Sequence, residues 1–196
     1  MELFIIAVLI LASVIGLTFI VERGLALRSQ KVIPTQVEAA LETCRTEADV
    51  PMLRRICEQH PSPISRLLIM AERHRNWPRA ENIGTLETSA RHEVSKLERG
   101  LVILEIVVGV APLLGLVGTI YGLIILFGGM SDAGLGDSKE VAKGIAVALN
   151  STLLGLLTAI PSLIAWSYYN KKVERFAVEM AALCENFLRT QYHSEK

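Results

Sequence analysis

Charge is what the longest stretches of this chain lack. Leu3 to Val21 and Gly144 to Tyr169 contain no Asp, Glu, Lys or Arg, and Leu101 to Phe127 contains Glu105 alone. About 20 apolar residues carry a helix across the roughly 30 Å hydrocarbon core of a bilayer. The blocks therefore predict three membrane spans and exclude an ordinary soluble core. Cysteine is also scarce. Cys44, Cys57 and Cys184 make an odd set with no Cys-x-x-Cys pair, which reads as free thiols rather than disulfides or a zinc site. Acidic and basic residues balance at 20 each, and no nucleic-acid partner is expected. Enzyme motifs are missing as well. His60, His74, His92 and His193 are scattered over polar segments and read as solvated surface. The glycines around Gly115 sit inside an apolar helix without a following Lys, so they form no phosphate loop. No catalytic residue, cofactor or metal is expected, and the chain does not read as an enzyme.

A cleaved signal peptide is a poor reading of the first block. Met1-Glu2 supplies no basic n-region, and the apolar run ends in Glu22-Arg23 rather than at a small-residue cleavage site. An uncleaved anchor is expected. Thirteen Lys/Arg lie between Glu22 and Gly100, five more follow Tyr169, and the connection Met130 to Lys143 holds only Lys139 and Lys143. Basic residues near span ends mark the cytoplasmic side. The N-terminus is then expected outside and the C-terminus inside, with 130–143 periplasmic and 35–100 cytoplasmic.

Along the chain, the first helix is expected to continue to about Val32, where Pro34 ends it. Short amphipathic helices follow at Thr35–Thr46, Val50–Gln59 and Ile64–His74, from apolar residues at three- and four-residue steps. One long helix is predicted from about Ala80 to Phe127, on the order of 70 Å at 1.5 Å per residue. GGMSDAGLGDSK reads as a turn-rich loop, and the third span extends past Asn170 as an amphipathic helix. The fold class is thus an all-α membrane protein, three transmembrane helices with long cytoplasmic helical extensions. Its expected divisions are 1–32, 33–84, 85–170 and 171–196.

Small and hydroxylated residues line up within the spans. Ala111, Gly115, Thr119 and Gly122 share one face of the second span, with Gly118 beside them. Gly144, Ala148, Thr152, Gly155 and Ala159 share one face of the third, next to a polar row of Ser151, Thr158 and Ser162. Small residues let membrane helices approach closely, and Thr or Ser can bond its own i−4 carbonyl. Alternatively, the two threonine-bearing rows face a common lumen and solvate water or a protonated partner group. Asn150 is expected at a helix contact. Glu105 has two readings, a functional intramembrane carboxylate or a headgroup-level residue paired with Arg99 or Lys96.

APLLGLVGTIYG and GIAVALNSTLLGLLTAIPSLIAWSYYN resemble the second- and third-span signatures of the MotA/TolQ/ExbB proton-channel family, and VERGLALR resembles its first-span ending. The span order and the large first cytoplasmic loop are similar too, and three spans fit the ExbB/TolQ branch. The resemblance implies an inner-membrane channel of a pentameric homo-oligomer around a two-copy, single-span ExbD/TolR-like partner with a membrane aspartate, and a TonB- or TolA-like protein beyond it. It further implies that Thr119 and Thr152 are the channel threonines. Ser151, Thr158 and Glu105 would form a secondary polar path, and Ala111, Gly115, Gly118, Gly122, Ala148 and Gly155 would pack helices. ExbB proteins carry a glutamate in the I-A-E-A-L run, where this chain has Val147. The alternatives are an oligomerising membrane scaffold that conducts nothing, and an unrelated small transporter.

Overall fold

The computed structural model describes residues 2–133 and 138–193, and among these every regular element is helical. The helices are α1 (Glu2–Ala26), α2 (Ser29–Val32), α3 (Thr35–Thr43), α4 (Val50–Gln59), α5 (Pro63–Arg73), α6 (Arg79–Glu98), α7 (Leu101–Ala133) and α8 (Ser138–His193). Three of them are long and apolar enough to cross a membrane, over Phe4–Ala26, Leu101–Gly128 and within Val141–Tyr192. An all-α, three-span membrane protein is what the chain forms. It divides into two compact units, one of residues 1–23 and 100–168, the other of 24–99 and 169–196.

The first unit holds the apolar lengths of α1, α7 and α8. Ile5 and Leu9 of α1 pack with Val107 and Ala111 of α7 and Ala159 of α8. Few large side chains are buried here. Leu113, Ile124, Leu157 and Ile164 are all exposed, as suits helices whose outer faces meet lipid or another chain instead of water.

The second unit is built like a soluble domain. Helices α3 to α5 are short because the sequence interrupts them. Pro34 disfavours helix at Ile33, which takes φ −130°, ψ 89°. Ser62 caps α5, its Oγ accepting the Ser65 N–H at 3.2 Å, with Pro63 at the first helical position. Val37, Leu53, Ile64, Leu67 and Leu68 are buried, together with Val173, Met180 and Phe187 of α8. Full burial of such a side chain contributes about 1.5–3 kcal/mol.

Four boundaries differ from the sequence expectation. The long helix expected from Ala80 to Phe127 is two helices, parted at Arg99–Gly100. Gly100 supports helix poorly, and the Arg23 guanidinium lies against its bare Cα, where a Cβ would collide. The first helix stops at Ala26 rather than Val32, because Arg28 is extended (φ −68°, ψ 136°) before α2 restarts. The helix expected over Thr35–Thr46 closes at Thr43, where Asp49 captures the backbone N–H of Thr46 at 2.9 Å. The expected loop GGMSDAGLGDSK is partly helix, since α7 runs to Ala133 and α8 begins at Ser138; its centre, 134–137, lies outside the described residues. Glycine pairs that break helices in water are tolerated where the backbone must satisfy itself.

One buried carboxylate ties α5 to α6. Glu93 is 5% exposed and hydrogen-bonds Arg66 of α5 and, at 2.9 Å, Lys96 of its own helix. Burial raises its pKa, but the bonds from Arg66 and Lys96 outweigh that and hold the carboxyl below its ordinary range. A depressed folded pKa means stability that is present above the unfolded value, near 4.3, and lost as pH falls through the folded one. Glu93→Gln should therefore destabilise this unit by about 2 kcal/mol at pH 7 and flatten its acid dependence. Thermal melts at pH 7 and below pH 4 check both; identical slopes for variant and wild type would refute the assignment.

Candidate functional site

The site lies where α7 crosses α8, and the crossing is close because glycine makes it so. A Cβ on Gly115 would stand 2.8 Å from the Ser151 carbonyl oxygen and 3.0 Å from the Thr152 Cα. One on Gly155 would stand 2.6 Å from the Ala111 carbonyl oxygen, and one on Gly118 2.7 Å from the Ser151 Cβ. Real Cβ contacts are not this short, so backbone meets backbone. Ala111 and Ala148 are buried at 0% and 3% exposure, and Gly122 is buried too. Gly115, Gly118 and Gly155 thus stand at close contacts within the chain.

That proximity brings Thr119 and Thr152 together. Their hydroxyls hydrogen-bond each other. The Thr119 Oγ1 also lies 3.2 Å from the Gly115 carbonyl oxygen and 3.1 Å from the Ala148 carbonyl oxygen, and the Thr152 Oγ1 lies 3.2 Å from the Gly115 carbonyl oxygen. Two hydroxyl protons thus share two carbonyls and each other's oxygen. Thr119 is buried, whereas Thr152 is half-buried at the edge of the contact. The two threonine rows face one another, with the hydroxyl pair at the seam.

The other polar residues sit elsewhere. Ser151 packs on Gly118, which also lies near Ile5 of α1, and Ser162 packs on Gly16 of α1. The Thr158 and Ser162 hydroxyls donate to the carbonyls of Leu154 (3.0 Å) and Thr158 (2.9 Å), each four residues back in α8. Ser162 therefore meets α1, whereas Ser151 stays against α7 beside the threonine seam. Sequence reasoning missed Gly16, whose signal was a lone glycine among large apolar residues of the first span. It also missed the Gly115 and Ala148 carbonyls, which no side-chain pattern reveals.

Glu105 and Asn150 are exposed. Lys96 is held by Glu93, and no ion pair of Glu105 is found among the described residues. Val147 is exposed on α8. His74 departs from the solvated reading, since its ring stacks on Trp77 at 4.2 Å between centroids and its Nδ1 is buried. The side chain of His193 lies outside the described residues. The three cysteines are free thiols, all buried; burial pushes Cys57 up to about 11, so it is a poor nucleophile at neutral pH.

Comparison with known proteins places this arrangement. The ExbB-like 1 protein of Synechocystis sp. is 32% identical over 183 residues, covering 86% of this chain and 69% of its own. The Tol-Pal system protein TolQ of Pseudomonas aeruginosa is 31% identical over 180 residues, covering 85% and 77% respectively. The biopolymer transport protein ExbB of Aquifex aeolicus is 32% identical over 105 residues, covering 54% and 70%. The model of the MotA/TolQ/ExbB proton channel family matches residues 59–182, a stretch that includes α7, the threonine pair and most of α8. With the crossing helices and these likenesses together, the chain belongs to the MotA/TolQ/ExbB proton channel family.

Proposed function

We propose that this protein is the three-span channel subunit of an ExbB/TolQ-like inner-membrane motor, which couples the proton motive force to transport or integrity of the envelope. The observation that carries the reading is the hydroxyl pair Thr119–Thr152, bonded across the α7–α8 seam with the Gly115 carbonyl between them. Hydroxyl groups at a half-open seam can donate to and accept from water, which aliphatic side chains in the same place cannot. In the complex, a pentamer of this chain surrounds a two-copy, single-span ExbD/TolR-like partner. The partner's membrane aspartate takes up and releases the proton, and a TonB- or TolA-like protein receives the work. With Val147 in place of the family glutamate, no charged relay stands at that position. The scaffold alternative is less well supported, because Gly115, Gly118 and Gly155 are used up inside one chain and are not free to form an oligomer face.

Proton flux into vesicles that hold this protein and its partner tests the reading; flux indistinguishable from protein-free vesicles would refute it. Orientation is tested separately. Ser138→Cys should react with a membrane-impermeant maleimide in intact cells, and Ser95→Cys, exposed on α6, should react only after lysis. The native cysteines give little background, since all three are buried. Labelling of Ser95→Cys in sealed cells would reverse the topology.

A further inference from the structure

We infer that the cytoplasmic limb of the proton path runs along one stripe of α7 from Thr119 to Glu105, and that Glu105 is its terminal proton-exchanging carboxylate. The inference rests on the channel reading above.

Glu105, Val108, Pro112, Gly115 and Thr119 follow one another at steps of three, four, three and four. Such residues stack on one helix face, neighbours about 5–6 Å apart. Glu105 and Thr119 are within about 40° of each other around the helix and about 21 Å apart along it. The stripe flanks the packed seam. Thr119 and Gly115 are buried at the seam, Val108 and Pro112 are half-buried, and Glu105 is exposed.

Each step along the stripe offers a polar atom. The Gly115 carbonyl accepts from both threonines. Pro112 lies inside α7 and has no N–H, so the Val108 carbonyl loses its i+4 donor and is left to accept from elsewhere. A carbonyl without its helical donor at membrane depth is accommodated where it meets water or another polar group. Glu105 follows one turn further on. It is the single charged residue in the three apolar blocks. A carboxylate there is costly unless it faces a partner or water, and so is a functional candidate. No ion pair of Glu105 is found among the described residues. Arg23 is bonded to Glu22, and Lys143 stands on the far side of the threonine level.

A proton arriving along the stripe binds the Glu105 carboxylate, giving the neutral acid. The acid then releases that proton to cytoplasmic water and regains its charge. Nothing else is consumed.

The test uses the full complex with its partner in vesicles. Glu105→Gln should lower proton flux at least ten-fold with normal complex yield, and Glu105→Asp should restore most of it. Dicyclohexylcarbodiimide, which attacks protonated carboxyls in apolar surroundings, should modify Glu105, as read by mass spectrometry. Flux unchanged in Glu105→Gln, or a Glu105 that stays unmodified, overturns the inference. Should the Gln variant not assemble, the modification result decides. Flux that needs the Thr119 hydroxyl but ignores Glu105→Gln defeats this inference alone, whereas a wild-type complex without flux defeats the channel reading.

Discussion

Gly155→Ala is expected to break the α7–α8 crossing and leave little folded protein in the membrane. The single added carbon would lie 2.6 Å from the Ala111 carbonyl oxygen and 3.2 Å from the Gly115 Cα. Both obstacles are backbone, so no rotamer change relieves them, and the helices must part. Overpacking of a tight core costs about 1–3 kcal/mol when side chains can adjust; here the packing that the parted helices forfeit adds to that. Separation would also pull Thr119 from the Ala148 carbonyl and from Thr152. Gly84, mid-α6, supplies the control. Nothing lies within 4 Å of a Cβ built there, so Gly84→Ala should stabilise by about 1 kcal/mol through helix propensity. Thermal unfolding and folded yield of the detergent-solubilised protein measure both. Wild-type melting for Gly155→Ala would mean that the helices are not in backbone contact.

The spans were legible because a charge-free run of bilayer length has few other meanings, and Pro34, Pro61 and Pro63 announced the helix ends of the second unit. The packing rows were legible from spacing, Gly115 and Gly155 each facing the other helix as the three- and four-residue steps require. What spacing cannot show is which neighbour a face meets. The rows of α7 and α8 meet each other within one chain, with Thr152 left half-buried at the edge. Ser151 and Ser162 looked like one polar row, yet Ser151 packs on Gly118 of α7 and Ser162 on Gly16 of α1. Gly100 was illegible for a different reason. Its neighbour there is Arg23, 77 positions earlier in the chain, and local pattern carries no such information. His74 likewise looked like surface until Trp77 folded against it.

Exposure in a single chain has its own meaning for a subunit of this family. Val147, Asn150 and Glu105 lie outside the chain's own packing, yet each stands on a helix that crosses a membrane. An amide such as that of Asn150 is costly to leave unbonded in a bilayer. Lipid satisfies Val147 without further partners. Gly115, Gly118 and Gly155, by contrast, meet their neighbours within the chain.

Replacing both threonines with valine should abolish proton-driven activity while leaving the fold in place. Valine matches threonine in shape, so the seam keeps its volume. The Gly115 and Ala148 carbonyls remain available to the backbone bonding of their own helices. The loss is confined to two hydroxyls, each about 1 kcal/mol of net hydrogen bonding, offset in part by the more apolar side chain. Function should respond differently. With two protons shared among the hydroxyl oxygens and the carbonyls of Gly115 and Ala148, the bonds can exchange partners without moving either helix. Thr152, half-buried, can turn its hydroxyl outward while Thr119 stays bonded. The double valine variant has no proton to offer and no hydroxyl lone pair to receive one. Serine at both positions keeps the hydroxyls and loses two methyl groups, about 0.8 kcal/mol each. A conducting role therefore predicts activity in the order Thr, Ser, Val, with the double valine at least ten-fold down. A packing role predicts Thr, Val, Ser. Flux in vesicles with the partner present, normalised to complex yield, separates the two orders. Full activity of the Thr119→Val, Thr152→Val protein would remove the pair from the path and leave the α7–α8 seam a purely structural contact.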